Sequence, residues 1–448
     1  MSSQFIPKSM AMMSASMDDF VRNRFKLETQ GGQTASSGSV VTFNLPESSL
    51  IHLPSIRFFF DVTTTSSTVG SSTVYGRLPA DAGCGALISK LEIYIGGVQV
   101  QNGTAEYNTI ARILKLSEGS MPRDQSVDRA LSHGAILSAD AVESEQLVLQ
   151  EWRGFLGESA SEYLPSDLCG SVTLRMTFAQ PNVLVPKEAG VALGDDLTAD
   201  GKTAAANLTY TVSNMYMTVD SIVPPLAYNE ALRERLQQGD IKINFKEYNS
   251  FTMAGVGSSF THRFGVSSAS LDKIYGVVRD TNYLDTGIKS YDLTDASTSG
   301  IGDSLVANAF RFRTYENGNN FRYNWSVNNV QHPQYQARSL EALADLHYSA
   351  NKLGAKAQGS MVSDREWFKE AFGVITLQLN CPTEAGVAVR SGFNSKGINT
   401  QLTLKQSGMT TPTANSGTGE TTDRTSFVVC ESTQQLCIGL GKQLNIVY

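Results

Sequence analysis

The chain has 448 residues, more than one ordinary core holds, and about 150 residues per domain predicts two or three domains. Hydrophobic residues at 41% suffice for such cores, while charged residues at 18% lie below the usual ~25%, which favours strands joined by polar loops. The net charge is −7, so the electrostatic field of the whole protein does not attract nucleic acid, and we expect no direct sequence-specific nucleic-acid binding.

The cysteine pattern and the apolar runs predict a protein made in a reducing space. The five cysteines are Cys84, Cys169, Cys381, Cys430 and Cys437. They form no CxxC pair, so we expect buried free thiols and neither a disulfide framework nor a zinc site. The N-terminus lacks a signal-peptide pattern and no run approaches 18 apolar residues, so we expect a cytosol-like place of folding and no membrane span.

Residues 1–38 are predicted to be an N-terminal arm. They are rich in Ser and Met and show no sustained period, apart from a short helix predicted over 18–25. A disordered terminus and an arm that orders against a neighbouring subunit both fit this composition. Basic residues at 22, 24 and 26 are flanked by acidic ones, which favours a solvated segment over a nucleic-acid arm.

From Val40 onward, apolar residues alternate with polar ones, which predicts half-buried strands. The clearest such segments are 56–62, 91–95, 172–178, 208–219, 241–245, 310–313, 375–379, 402–404 and 444–448. Between Val212 and Met215 the apolar positions change from even to odd, which predicts a bulge.

Helices are predicted to be few and short. Helical spacing occurs at 107–114, at 340–347, at 229–236 before Gly239, and at 364–372. Long polar stretches at 63–82, 118–140, 189–206, 285–303 and 406–423 are predicted to be loops. Strands that follow one another without intervening helices exclude a parallel α/β sheet and leave an all-β sandwich or barrel.

Several short motifs suggest chemistry but lack the context that the chemistry needs. DTG at 285–287 has no second copy, which an aspartic protease requires. GLGK at 439–442 lacks the first glycine and the final Ser or Thr of a phosphate loop, and we interpret it as part of a strand. GVGSSF at 255–260 lacks the third glycine of a dinucleotide site, and GDD at 194–196 fits a solvated loop better than a calcium site. The histidines have no metal-ligand spacing, so we predict no enzyme, no cofactor, and no catalytic, cofactor-binding or metal residue.

The most informative pattern is a repeat. IGGVQ at 95–99 and VNNVQ at 327–331 each follow an alternating run, carry a Gly-Gly or Asn-Asn turn and lead into a helical pattern. Pro224-Pro225 lies almost midway between them. This arrangement predicts an arm at 1–38 and two tandem β-units at 39–223 and 224–448, in which Val98 and Val330 occupy equivalent positions.

The segment ALISKLEIYIGGVQV at 86–100, followed by a helix through Tyr107, resembles the double jelly-roll major capsid proteins of large eukaryotic DNA viruses, virophages and polinton-like viruses. The segment SGFNSKGINT at 391–400, with the closing strand at Tyr448, is similar to the end of the second jelly roll of that family. The resemblance implies two eight-stranded antiparallel jelly rolls with a few short helices in loops.

The resemblance also implies a function in assembly. A homotrimer would form a pseudo-hexameric capsomer and tile an icosahedral virion shell, with neighbouring capsomers, penton and minor capsid proteins as partners. The N-terminal arm would contact a neighbour or an internal membrane, and assembly would occur in the host cytoplasm or nucleus. Two alternatives stay open: a carbohydrate-binding or carbohydrate-active β-sandwich protein, and a minor virion or vertex component.

Overall fold

The protein is an all-β molecule in which every strand pair of the described residues is antiparallel. The computed structural model describes residues 21–47, 49–79, 82–102, 106–117, 131, 144–191, 197–280, 310, 312–350, 368–369, 373–380, 391–397, 400–411 and 424–448. No sheet of these residues mixes strands from before Val223 with strands from after Ile241, so the chain folds as two successive β-units.

The first unit contains three sheets. Its strands are β1 (Val21–Glu28), β2 (Ala35–Ser36), β3 (Val40–Asn44), β4 (Leu50–His52), β5 (Arg57–Thr64), β6 (Ser66–Val69), β7 (Ser72–Arg77), β8 (Ile88–Ile95), β9 (Val98–Gln101), β10 (Ser144–Leu149), β11 (Tyr163–Pro165), β12 (Val172–Phe178), β13 (Val185–Glu188) and β14 (Tyr210–Val223). The largest sheet has the order β10-β5-β14-β4-β11, and β1 and β2 pair with the other edge of β14. A four-stranded sheet has the order β3-β12-β8-β9, and β13, β7 and β6 form a small third sheet.

The second unit has two sheets of similar design. Its strands are β15 (Ile241–Ala254), β16 (Phe260–Phe264), β17 (Leu271–Asp280), β18 (Arg322–Val327), β19 (Val330–Ala337), β20 (Ile375–Gln378), β21 (Leu402–Ser407), β22 (Arg424–Gly439) and β23 (Gln443–Val447). The larger sheet has the order β15-β22-β17-β20 with β23 on the end of β22, and the smaller has the order β16-β21-β18-β19.

The described helices are short and lie between strands. They are α1 (Tyr107–Ser117), α2 (Ser166–Cys169), α3 (Ala199–Ala205), α4 (Leu226–Gln238) and α5 (Ser339–Ala350), with 3-10 turns at Leu53–Ser55, Gly83–Leu87, Pro181–Val183 and Leu440–Lys442. The predicted helices after each repeat are confirmed as α1 and α5. The third prediction is confirmed as α4, which begins after Pro225 instead of at Asn229 and ends before Gly239 as expected. Of 364–372, only 368–369 are described, and they are helical.

Five local predictions were wrong: no described strand includes Phe310 or Phe312, the polar stretch 189–206 contains α3, and pairing partners explain the other three. The helix expected over 18–25 is strand β1 from Val21, because β14 offers it a free edge. GLGK at 439–442 is the turn between β22 and β23, with Gly441 at φ +72°, and not the interior of a strand. The polar stretch 63–82 contains the β6–β7 hairpin, because its Ser and Thr residues pair across two strands. The stretches 118–140 and 285–303 lie almost wholly outside the described residues.

The two smaller sheets correspond strand for strand, and the repeat lies at the same place in each. Ile95 pairs with Val98 across the first turn and with Val172 on β12. Val327 likewise pairs with Val330 across the second turn and with Leu402 on β21. The two valines therefore hold the same register position, as the repeat predicted.

Both turns are two-residue hairpins that need positive φ at their two central residues, a conformation that Gly and Asn adopt most readily. The φ angles are +54° and +82° at Gly96 and Gly97, and +48° and +69° at Asn328 and Asn329. Each turn is tied to the next strand by the same bond: Gly96 N donates to Ser171 O at 2.8 Å and Asn328 N to Gln401 O at 3.0 Å. Gly-Gly in the first motif and Asn-Asn in the second therefore meet the same requirement for positive φ angles.

The cores follow the alternation in the sequence. In β12, for example, the apolar residues from Val172 to Phe178 are buried and the intervening polar residues face outward. The predicted bulge in β14 is also confirmed, because its pairing with β5 shifts register between Ser213 and Tyr216, where Asn214 has φ +50°. The bulge lets both apolar runs of β14 face the core.

Candidate assembly surfaces

The contact between the two β-units, called the joint below, involves residues 96–102, 106–117 and 152–160 of the first unit and strands β15, β22 and β23 of the second. One buried hydrophobic cluster runs through it and contains Phe155 of the first unit together with Phe245 and Leu436 of the second. The rings of Phe155 and Phe245 meet edge to face at 5.3 Å. Conversely, α1 contributes Ile110 and Ile113 to the core cluster of the second unit. Neither core is closed without the other.

The first hairpin turn is covered by the C-terminal strand. A Cβ atom added at Gly96 would lie 2.6 Å from Cys169 O and 2.8 Å from Leu444 Cδ1, so only glycine fits there. Val98 and Leu444 both pack against the hydrophobic cluster of the joint. The β8–β9 hairpin is therefore part of the joint.

Polar groups close the joint beside this apolar contact. Ala160 N donates to Asn244 O at 2.7 Å. The Tyr248 hydroxyl donates to Glu158 Oε2 at 2.6 Å, and Arg153 Nη1 lies 3.3 Å from Glu158 Oε1. Burial raises the pKa of Glu158 although Arg153 opposes the shift. The joint thus holds a largely buried carboxyl group, 21% of whose side chain is exposed.

Lys246 and Glu247 are neighbours on β15, and the acidic groups at these two positions have different surroundings. Lys246 Nζ lies 2.5 Å from Asp272 Oδ2 and 3.0 Å from Glu431 Oε1, so these buried carboxylates are paired. Glu247 has no such cation among the residues that the structure describes. The backbone N–H of Asn102, in the first unit, donates to its carboxyl group, and its Oε2 has no hydrogen-bond partner in the described ranges. Burial raises the pKa of Glu247 to about 8, so this carboxyl group keeps its proton to a higher pH than an ordinary one.

The hairpin of the second unit has no such cover from the described residues. Val330, at the position of Val98, is 55% exposed, and Tyr335 and Leu340 beyond it are exposed as well. These three exposed apolar side chains, at the turn, along β19 and at the start of α5, form a candidate interaction surface, called the hairpin surface below.

Strand β1 provides a second candidate surface. It pairs with the last long strand of its unit, β14, just as β15 pairs with β22, so the two strands correspond. The first pair of the β15 ladder, Ile241 with Ile438, packs against the joint. The first pair of the β1 ladder, Val21 with Val223, is exposed. These two residues and the exposed Phe25 form what we call the strand surface.

Ion pairs hold β1 in place. Asp220 of β14 is buried, and Arg24 Nε donates to its Oδ1 at 2.7 Å while Arg22 Nη2 donates to its Oδ2. The hydrogen bonds from Arg24, the largest cause, and from Arg22 lower the pKa of Asp220 well below its usual value. Lys26 lies over the ring of Tyr216 at 4.5 Å. The basic residues of the predicted arm thus bind this protein's own sheet.

The motifs considered for chemistry come together nowhere in the described chain. DTG at 285–287 and GDD at 194–196 lie outside the described residues, and GVGSSF at 255–260 joins β15 to β16. Within the described ranges, no group of three or more His, Cys, Asp or Glu residues is placed to hold a metal ion. The four cysteines that the structure describes are buried free thiols. None of the helices described above is both long and apolar enough to cross a bilayer.

Comparison with solved structures identifies the class of fold. No protein-family model and no curated protein sequence matches the chain. The capsid protein of the virus PBCV-1 superposes with a TM-score of 0.61 at 14% identity, over 96% of this chain and 97% of that one. The Faustovirus major capsid protein gives 0.52 at 9% identity, over 97% and 94%. A chain of the Sputnik virophage gives 0.51 at 10% identity, over 96% and 88%. The fold is the all-β double jelly roll of these viral proteins, as the sequence predicted.

Proposed function

We propose that this protein is a major capsid protein, a structural protein and not an enzyme, that forms homotrimeric capsomers and tiles an icosahedral virion shell. The proposal rests on one observation: the two surfaces that meet in the joint correspond to the hairpin surface and the strand surface, which are both uncovered by the described residues. One copy of the repeated hairpin is covered by the chain's own second unit, and the other copy has no such cover from the part of the chain that the structure describes.

The partner of the bare hairpin follows from this correspondence. Within one chain, the β8–β9 hairpin packs against β23, beside β15 and β22. If successive units are related by the same rotation, the β18–β19 hairpin of one protomer meets the counterparts of those strands in the next protomer, which are β4, β1 and β14. The hairpin surface would then cover the strand surface, and Val330 would lie near Val21 and Val223. Both surfaces are apolar, so their contact would remove them from water.

We further propose the division of the chain into an N-terminal segment at 1–38, a first jelly roll at 39–223 and a second at 224–448, with β1 and β2 of the N-terminal segment adding to the sheet of the first jelly roll. Neighbouring capsomers, penton and minor capsid proteins would be the other partners. Residues of the arm before Val21 would contact a neighbour or an internal membrane. The protein would be located in the virion after assembly in the host cytoplasm or nucleus.

The oligomeric state tests both the function and the surfaces. We expect light scattering after size exclusion to give three times the protomer mass of 48.5 kDa. Val330→Asp buries a charge in the proposed contact, and we expect it to weaken the trimer at least a hundredfold, about 2.7 kcal/mol. Val40→Asp is the matched control, because Val40 is 46% exposed on the opposite edge of the corresponding sheet.

The outcomes separate the two parts of the proposal. A wild-type protein that stays monomeric at micromolar concentration contradicts the capsid function. A stable trimer that Val330→Asp and Val40→Asp leave equally intact contradicts only the assignment of the surfaces. Electron microscopy of the wild-type protein should show hexagonal tiles, which neither a carbohydrate-active enzyme nor a vertex protein would form.

A further inference from the structure

The outward face of the smaller sheet of the second unit carries three cations. The strands of this sheet, β16, β21, β18 and β19, contain no Asp or Glu. Arg263 of β16 pairs with Thr403 of β21, and Arg322 of β18 pairs with Ser407 at the other end of β21. Because Lys405 lies two residues from each of these positions on β21, all three cations are on the same face. We call Arg263, Lys405 and Arg322 the cationic stripe.

The first unit shows what cations at these positions bind. Glu92 of β8 pairs across the ladder with Arg175 of β12, and Lys90 lies two residues before Glu92 on the same face. Lys90 Nζ lies 2.8 Å from Glu92 Oε1, and Arg175 Nε lies 3.7 Å from Glu92 Oε2. Gln99 Nε2 also donates to Glu92 Oε1, at 3.4 Å. One carboxylate thus receives two cations and an amide.

The second unit keeps the cations of this group and lacks its carboxylate. Counting from the two hairpin turns gives the equivalent positions: Arg322 for Lys90, Asn324 for Glu92, Gln331 for Gln99 and Lys405 for Arg175. Asn324 pairs with Lys405 across the ladder, just as Glu92 pairs with Arg175. The acid alone is replaced by an uncharged side chain, so the two cations lack the anion that their counterparts bind.

The cationic stripe is open to a partner. None of its three members forms an ion pair with a residue that the structure describes, and Arg263 and Lys405 are exposed. Arg322 Nη1 donates to two backbone oxygens at 2.7 Å each, which fixes the position of the guanidinium. A depression of about 360 Å³ includes Lys405, Arg322 and Asn324 among its lining residues. An acidic side chain from outside the chain therefore has room beside the cations.

We propose that the cationic stripe binds an acidic segment of a partner protein, an extended stretch with Asp or Glu at alternate positions. One carboxylate takes the place that Glu92 has in the first unit, between Lys405 and Arg322, and a second pairs with Arg263. Successive cations lie two residues along and one strand across the sheet, so their Cα atoms are about 8 Å apart, and alternate residues of an extended segment are about 7 Å apart. The carboxylate of the first unit favours an acidic protein segment as the occupant. The site is additional to the assembly role and does not depend on it.

Fluorescence anisotropy on the purified, assembled protein tests the proposal. The probe is a labelled peptide of alternating glutamate and serine, and the same peptide with glutamine in place of glutamate is the reference. We expect the glutamate peptide to bind at least about tenfold more tightly at low salt, and the difference to shrink as salt screens the charges. Lys405→Gln should weaken the glutamate peptide about fivefold. Lys396→Gln, at an exposed lysine outside the sheet, should leave its binding unchanged.

Two further variants use the comparison of the units. Asn324→Glu gives the second unit the carboxylate of the first, and it should fold because Glu92 is accommodated at the equivalent position. We expect it to reduce binding of the glutamate peptide to the level of the glutamine peptide. Glu92→Gln should conversely leave Lys90 and Arg175 without their carboxylate, so each chain should gain a second, weaker site for the glutamate peptide.

Three results overturn the proposal. The first is binding of the glutamate peptide that Asn324→Glu leaves unchanged; if this variant does not fold, equal binding by the two lysine variants decides the same point. The second is a DNA oligonucleotide of equal charge that binds as tightly as the glutamate peptide, which indicates a general site for polyanions. The third is a lower assembly mass for Asn324→Glu in light scattering without peptide, which indicates a second copy of this chain as the occupant.

Discussion

Replacing Glu247 by glutamine should stabilise the protein at alkaline pH and leave its stability at mildly acidic pH unchanged. The pKa of Glu247 is raised to about 8 by burial in the joint, from an ordinary value of 4.5. Between these values the unfolded chain has lost the proton and the folded protein keeps it. The contribution of Glu247 to stability is therefore full below about pH 4.5, falls as pH rises and is lost above about pH 8. Glutamine cannot ionise, and its amide oxygen can still accept the hydrogen bond from Asn102.

The size of the effect follows from the two pKa values. At about 1.36 kcal/mol for each pKa unit, the difference corresponds to at most about 5 kcal/mol at pH 8 and above. Water drawn towards the ionised carboxylate lowers this figure, so we expect a gain of about 2–4 kcal/mol for Glu247→Gln near pH 8.5. This gain should shrink steadily towards pH 5.

Guanidinium unfolding from about pH 5 to pH 8.5 measures the difference between Glu247→Gln and the wild-type protein. Glu234→Gln is the control, because Glu234 is exposed on α4 and its substitution should give a small difference at every pH. A difference between Glu247→Gln and wild type that does not change with pH would refute the reasoning. So would a variant that is less stable than wild type at pH 8.5.

Two further substitutions test other contacts. Asp220→Asn removes the buried charge that holds β1, so trypsin should cleave after Arg24 at least about tenfold faster than in the wild-type protein. Mass spectrometry of a timed digest measures this rate. An unchanged rate would mean that backbone pairing alone holds the strand. Gly276→Ala places a Cβ atom within about 3.0 Å of the Trp325 ring, between the two sheets of the second unit, and should cost about 1–3 kcal/mol in thermal unfolding. Gly257→Ala meets only an ordinary contact, with Ser259 O at 3.9 Å, and should cost less than about 1 kcal/mol; equal losses would contradict the packing argument.

The fold could be predicted from the sequence because its strongest signals are local. Alternation of apolar and polar residues identified β12, and the switch of apolar positions from even to odd identified the bulge in β14. The two-residue turns placed the two hairpins. Strand β1 was missed because its partner, Asp220, lies 196 residues from Arg24. A charged segment such as 22–26 is compatible with a helix until the free edge of β14 is known.

The assembly surfaces could not be predicted for a related reason. Burial of Glu158 and Glu247 depends on contacts between the two units, and a single sequence gives no distance between its halves. The register shift between β18 and β19 was not predicted either, because alternation predicts a strand without its partner. The sequence did contain the repeat, and the repeat shows which residues of the covered hairpin correspond to which residues of the uncovered one.

The comparison of the two hairpins also bears on how copies of the chain associate. The proposed contact between the hairpin surface and the strand surface would join two different patches, so it would be head to tail and every added copy would leave one patch of each kind free. Such a contact repeats until a ring closes. Since the joint uses the same pair of patches within one chain, the rotation between the two jelly rolls sets the number of copies in the ring. Three copies close a ring of six units if that rotation is about one sixth of a turn, and the second unit then leaves no bare hairpin.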